Sequence, residues 1–210
     1  MTEFNVLLGA DYAGKSTVLH ALSARGWNVV ASDDERFPVL GALRLLWLGE
    51  VLPELGCRYS RTMAMAVLNP LIVHLRDQVE LLAANGGPVV VDSYYYKLMA
   101  KLQMADLLTL DILSSWLELP RPARVVFLDA EPEHTWERTH NGADLNPLEH
   151  YGRRATRASF VRYQRDLREH LLTAAAGVPL TMVDATAGLA SMVDEVEAAL
   201  KAGVRAEQPV

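Results

Sequence analysis

The sequence is short of several things that would each have pointed to a different kind of protein. It has one cysteine, Cys57, among 210 residues, which excludes an internal disulfide framework and a cysteine-based zinc site. Its most apolar stretch, 39–55, is interrupted by Arg44, Glu50 and Pro53 and is too short to span a bilayer. Positive charge is not in excess: 20 Lys and Arg against 26 Asp and Glu give a net charge of −6. With no basic tract to follow a phosphate backbone, neither a nucleic-acid polymer nor an anionic membrane is an expected partner. The six histidines show no metal-ligand spacing, and no internal repeat or low-complexity linker is present. The start Met1-Thr2-Glu3 carries no cationic segment and the apolar run at 4–8 is short for a secretory core, so a cytoplasmic location is expected.

What is there is ordinary globular material, 50% hydrophobic and 22% charged. At ~150 residues per domain the length argues for one domain, here 1–202. The polar end, 203–210, reads as a disordered tail. Short β-rich runs at 4–8, 27–31, 89–91, 124–128 and 180–183 alternate with helical patterns at 15–24, about 57–85, 98–118, 132–140, 148–176 and 188–201. Pro70 is expected to kink or divide the long helix. The run Val89-Val90-Val91 is apolar on both faces, as a strand inside a parallel sheet must be. The alternation predicts an α/β fold with helices on both faces of the sheet.

The chemistry is concentrated in Gly9-Ala10-Asp11-Tyr12-Ala13-Gly14-Lys15-Ser16, followed by Thr17. This is the pattern G-x-x-x-x-G-K-[ST] placed between a strand and a helix. The glycines let successive backbone N–H groups turn inward around phosphate oxygens, Lys15 neutralises the β- and γ-phosphates, and the Ser16 hydroxyl is a Mg²⁺ ligand. The following helix adds its positive N-terminal end to the same anion. A nucleotide's phosphates and Mg²⁺ are therefore the expected ligands of the loop. Asp92 closes a hydrophobic strand as a second metal-linked group would, whereas Asp129 and Asp184, in the same position on later strands, read mainly as local caps. Asp33, Asp34 and Glu35 stand at the carboxyl end of the strand expected beside the loop strand, where open α/β sheets bind ligands. One of them, with Asp33 first, is the candidate base for an acceptor hydroxyl.

The loop, then Asp33 to Pro38, Val-Val-Val-Asp92-Ser93-Tyr94, Val-Val-Phe-Leu-Asp129-Ala-Glu-Pro with Arg138 downstream, and Met-Val-Asp184-Ala185 resemble, in this order, the thymidylate kinases and their deoxynucleoside-kinase relatives. The resemblance covers about 4–200. It implies a P-loop NTPase fold with a five-stranded parallel sheet, a small lid, and transfer of the γ-phosphate of ATP to a nucleoside or nucleoside monophosphate. It places Asp11 against the acceptor sugar, Arg36 and Phe37 in the segment after the second strand, Arg138 just before a lid at about 139–151, and Arg153 and Arg157 one turn apart on the next helix, where both would face one phosphate. A homodimer is suggested by the resemblance alone.

The sequence departs from that pattern at the acceptor end. Leu40 and Ser93 stand where the family usually carries arginines, and apolar positions near Leu68 and Ile72 replace the residues that grip thymine. Arg58, Arg61, Lys97 and Lys101 are the candidate replacements, and Tyr94-Tyr95-Tyr96 supplies aromatic faces for a ring. Three readings follow: a nucleoside or nucleotide kinase, a hydroxyl kinase acting on another small metabolite such as a natural product, and a nucleotide-dependent switch without turnover.

Overall fold

The computed structural model describes residues 3–34 and 36–202. Glu35 and the 203–210 tail lie outside the described residues. Five strands form one sheet: β1 (Asn5–Gly9), β2 (Asn28–Val30), β3 (Val89–Asp92), β4 (Arg124–Asp129) and β5 (Leu180–Asp184). Every pairing is parallel and the order is β2-β3-β1-β4-β5. The five-stranded parallel sheet is thus as expected.

Alternation along β1 sorts the core into two layers, because successive side chains of a strand point to opposite faces. Phe4, Val6 and Leu8 pack with Val89, Val91, Val125 and Phe127 under α3 (Arg61–Ala84), α4 (Tyr96–Met104) and α7 (Arg157–Ala174). Leu7 packs with Val90, Val126, Leu128 and Val183 under α1 (Lys15–Ala24) and α8 (Leu189–Lys201). Three further helices, α2 (Pro38–Leu46), α5 (Leu110–Leu117) and α6 (Pro132–Glu137), complete the described elements, α2 running on into a π-helical turn at Trp47–Val51. Among the described residues no helix is long and apolar enough to cross a membrane.

The helix bounds differ from the sequence reading in instructive ways. Pro70 neither ends nor divides α3, which runs for 24 residues from a Ser60 cap that accepts from the Met63 N–H. Pro70 and Ala66, whose carbonyl loses its helical partner, both lie on the exposed face, which is open to water. The expected helix at 98–118 is two helices, broken where Asp106 takes φ 54. The expected helix at 148–176 begins only at Arg157, because Thr156 and Ser159 form a reciprocal capping box. The apolar stretch 39–55 is helical as far as Val51, burying Leu40, Trp47 and Val51 and leaving Val39, Leu45 and Leu46 exposed.

Candidate functional site

The strand order reverses direction between β1 and β3, and the crevice above their carboxyl ends is where such sheets bind ligands. The register sets Leu7 opposite Asp92, and the Ser93 N–H donates to the Leu7 carbonyl at 3.0 Å. The loop that leaves β1 and the aspartate that ends β3 are therefore neighbours. Tyr12 and Gly14 take positive φ, 61 and 95, as a loop curling its N–H groups inward requires, and Gly14 caps α1. Ser93 and Tyr94, also left-handed at φ 58 and 45, turn the chain sharply after Asp92. Such strain in non-glycine residues is held in place by its surroundings. Here the Ser93 hydroxyl donates to the Asp92 carboxylate at 2.7 Å, and the Tyr94 ring is buried against Phe4 and Tyr95.

A cleft of about 690 Å³ opens at this point. Its floor is Asp11, Tyr12, Ala13, Gly14, Lys15, Ser16 and Thr17. On the β4–β5 side it is walled by Arg138, Ala185, Ala187, Leu189 and Met192, and on the β3–β2 side by Ser32, Asp33, Asp92, Tyr94, Lys97 and Lys101, with Arg44, Trp47 and one face of α3 beyond them. Gly9 lies beneath the floor, where a side-chain Cβ would sit 2.7 Å from the Leu128 carbonyl oxygen.

Lys15 is buried and folds back over the loop, its Nζ donating to the carbonyls of Gly9 and Ala10 at 3.1 and 3.0 Å. Burial, together with the charge of Lys97, pulls its pKa down to about 7, against the opposing pull of Asp92 and Asp11. An anion placed in the loop is what this ammonium lacks. Asp11 lies one step further in. Its carboxylate meets Lys97 Nζ at 2.6 Å and Lys101 Nζ at 3.0 Å, and accepts from Gln164 Nε2 at 3.1 Å, while its N–H donates to Gln164 Oε1. Burial would raise the Asp11 pKa, but the charges of Lys101 and Lys97 prevail and hold it far below the usual carboxylate range.

The segment 139–151 is a run of turns laid against this cluster. Glu149 is buried, accepts from the Tyr12 hydroxyl at 3.5 Å and the Asn146 N–H at 3.2 Å, and lies 3.7 Å from Lys101 Nζ. Gln164 also donates to the Glu149 carbonyl. Gly142, at φ 91, allows the turn to pass the Trp136 indole, where a Cβ would stand 2.7 Å from the ring. Gly142→Ala is expected to lower stability by about 1–3 kcal/mol, read as a fall in the chemical-denaturation midpoint. An unchanged midpoint would mean that this packing is not formed in solution.

Several residues singled out in the sequence lie elsewhere. Asp34 is taken up by Arg36, whose backbone N–H and Nε donate to it at 2.9–3.0 Å, and Phe37 packs edge-on to His74, so none of the three lines the cleft. Arg58 faces Glu50 and Arg61 faces Asp106 on the surface, because the π-helical turn and α2, not the start of α3, border the cleft. Arg153 is exposed in the bend before α7 and is not on one helix with Arg157. Tyr95 and Tyr96 are core residues; of the three tyrosines only Tyr94 lines the cleft. Asp129 is bound by Arg168 in two 2.7 Å bonds, and Asp184 accepts from Thr186, which leaves Asp92 the strand-end carboxylate open to the cleft.

Three residues of the site were not read from the sequence: Arg44, Glu149 and Gln164. Gln164 had a visible signal, a lone amide on the buried stripe Phe160, Tyr163, Leu167 and Leu171 of α7. Arg138 was read, and it lies over the loop with Nη1 donating to the Tyr12 carbonyl at 2.9 Å.

No protein-family model matches the chain, and no curated protein matches it by sequence. Solved structures do. The thymidylate kinase of Candida albicans superposes with a TM-score of 0.67 at 17% identity, over 98% of this chain and 93% of that one. Deoxyadenosine kinase of M. mycoides superposes with TM-scores of 0.61, with dCMP and dCDP bound, and 0.59, with dATP bound, at 11% and 12% identity and over 94% and 95% of this chain. The chain shares the fold of these proteins over nearly its whole length.

Proposed function

We propose that this chain is an ATP-dependent phosphotransferase that moves the γ-phosphate of ATP onto a small acceptor. The observation that carries the reading is the division of the cleft by the phosphate loop, with Arg138 and Met192 on one side of Lys15 and Asp92, Lys97 and Asp33 on the other. Donor nucleoside on the first side and acceptor on the second would meet at the γ-phosphorus. Tyr12, Ala13, Gly14, Lys15, Ser16 and Thr17 form the donor cradle, in which backbone N–H groups and the start of α1 bind phosphate, with Gly9 supporting it from beneath and Asp11, its N–H held by Gln164, at its inner edge.

Mg²⁺ suits the oxygens at hand. No cage of three or more His, Cys, Asp or Glu side chains occurs among the described residues, but Mg²⁺ needs only one or two protein ligands besides phosphate oxygens and waters. Ser16 and Asp92 would hold it, and it would supply charge compensation for the transferring group. Asp92→Asn should shift the Mg²⁺ concentration needed for half-maximal activity upward by about tenfold or more. Superimposable Mg²⁺ titrations of Asp92→Asn and wild type would remove Asp92 from the metal site.

In the transfer itself the acceptor oxygen attacks the γ-phosphorus, the bond from that phosphorus to the β–γ bridging oxygen breaks, and ADP leaves. Asp33, exposed at the cleft wall, takes the hydroxyl proton and passes it to solvent. Arg138 already lies over the loop and supplies a guanidinium to charge that develops in the transition state. A switch without turnover has no need of it. Arg138→Ala should lower kcat by about 10²-fold with little change in the KM for ATP. A pure KM effect would place Arg138 in ground-state binding instead. Arg153 receives no role from its exposed position.

The leading acceptor is a nucleoside or nucleoside monophosphate, since proteins named thymidylate kinase and deoxyadenosine kinase share the fold over nearly the whole chain. A hydroxyl-bearing metabolite of similar size is the second reading, favoured by the absence of polar side chains from the α3 wall of the cleft among the described residues. A cytoplasmic location goes with either. If two copies pair, the outer face of α2, with Val39, Leu45 and Leu46 exposed, is the surface that would be covered, and sedimentation would detect it. The functional test is ADP release from ATP and Mg²⁺ across nucleosides, nucleoside monophosphates and hydroxylated metabolites. Release that depends on an acceptor supports the proposal, and ATP hydrolysis indifferent to every acceptor would count against it.

A further inference from the structure

The half of the cleft beyond Asp92 is apolar to an unusual degree for a site that reads a heterocyclic base. Leu68, Leu71, Ile72 and Leu75 fall at i, i+3, i+4 and i+7 of α3 and form one continuous wall, with Trp47 and Leu48 across from it. Most polar atoms nearby are already committed, and the two among the described residues that lack a partner, the Tyr94 hydroxyl and His74 Nε2, are buried out of contact with the cleft surface. The Trp47 indole N–H donates to the Ala64 carbonyl at 2.9 Å, Asn69 accepts from Trp116 at 3.0 Å, and His74 is packed on Phe37. The polar side chains that line this half, among them Asp33, Arg44, Ser93, Tyr94 and Lys97, come from elements other than α3.

We propose that this half of the cleft takes an acceptor with an apolar body: a hydroxyl-bearing molecule of nucleoside size whose ring or chain offers no hydrogen-bonding edge to α3. This inference rests on the phosphotransferase reading and narrows its acceptor. A base seated here would give up water at each ring carbonyl and N–H turned toward α3 and find no partner on that wall, and every such group lowers affinity by roughly 5- to 100-fold. An apolar body of the same shape loses nothing and gains from every group it removes from water. The hydroxyl then lies toward Lys97 and Asp33, within the reach of the transferring phosphoryl group.

The test compares thymidine with its shape-matched isostere, the deoxyriboside carrying difluorotoluene in place of thymine. Binding is measured by calorimetry with a non-hydrolysable ATP analogue present, and kcat/KM with ATP. The isostere should bind at least about tenfold more tightly and show the higher kcat/KM. Leu71→Gln, which adds an amide to the wall, should reduce that preference by about tenfold. Tighter binding of thymidine than of the isostere by the wild-type protein would overturn the inference, whether or not Leu71→Gln folds. Tighter binding of the isostere with no phosphate transferred would uphold the inference and reject the phosphotransferase reading.

Discussion

Lys15→Ala should lose at least about 10²-fold in kcat while keeping its fold. The ammonium is buried, its two protein partners are backbone carbonyls of the loop, and it lies among Asp11, Asp92 and Lys97 with no carboxylate in direct contact. Those carbonyls can be met by water once the side chain is gone, so stability changes little. Phosphoryl transfer has no such substitute. Its transition state spreads charge over the γ-phosphoryl oxygens, and removing one fixed donor aimed at such charge typically costs about 10²–10³ in rate. Lys15→Met, which keeps the length of the stem, separates charge from packing and should be as inactive. Circular dichroism confirms the fold in each case. A well-folded Lys15→Met protein with wild-type turnover would show that the loop does not bind the transferring group.

Asp11→Asn should be the most destabilising substitution in the site. It leaves the half-buried Lys97 and the buried Lys101 without the carboxylate that lies 2.6 and 3.0 Å from them in the wild type. Glu149, 3.7 Å from Lys101, is the remaining close acid of that pair. Removing one partner from a buried ion pair typically costs about 3–5 kcal/mol, which for a chain of this size is roughly 10 °C in Tm. Asp11→Asn combined with Lys97→Met should recover much of the loss, because it removes the stranded charge along with its partner. The pH dependence has a definite sign. The folded Asp11 carboxyl has a pKa far below its unfolded value of about 4, so its contribution is complete above that pH and is lost as pH falls below it. The stability gap between wild type and Asp11→Asn should therefore be full at pH 7 and close in acid. A gap that persists unchanged at pH 3 would mean that the ion pair is not its source.

The sequence was most legible where a local pattern sufficed. The loop on β1 and the all-apolar strands β3 and β4 each announce themselves within ten residues, because a buried parallel strand cannot hide its composition and phosphate binding by backbone N–H groups demands glycine. Lys97 and Lys101 were visible as candidate cations for the acceptor end of the cleft. That both would close on Asp11 was not, since the pairing depends on how α4 packs against α7 and brings Gln164 to the same carboxylate. Arg58 and Arg61 misled for the converse reason: a helix start inferred from periodicity set them at the cleft, whereas Arg58 falls in the turn-rich stretch before α3 and Arg61 on the exposed first turn of that helix. The late start of α7 was written in Thr156 and Ser159, a capping signal masked by the helix-forming residues on both sides.

The account turns on one event, the movement of phosphate from ATP to an acceptor across Lys15. Following the ³¹P resonance of the γ-phosphate with ATP, Mg²⁺ and the best acceptor from the screen reads that event directly. The expected result is one phosphorylated acceptor for each ADP formed, with negligible inorganic phosphate, and no transfer by Lys15→Met. Phosphate appearing only as the free ion, at the same rate with and without acceptor, would contradict the account.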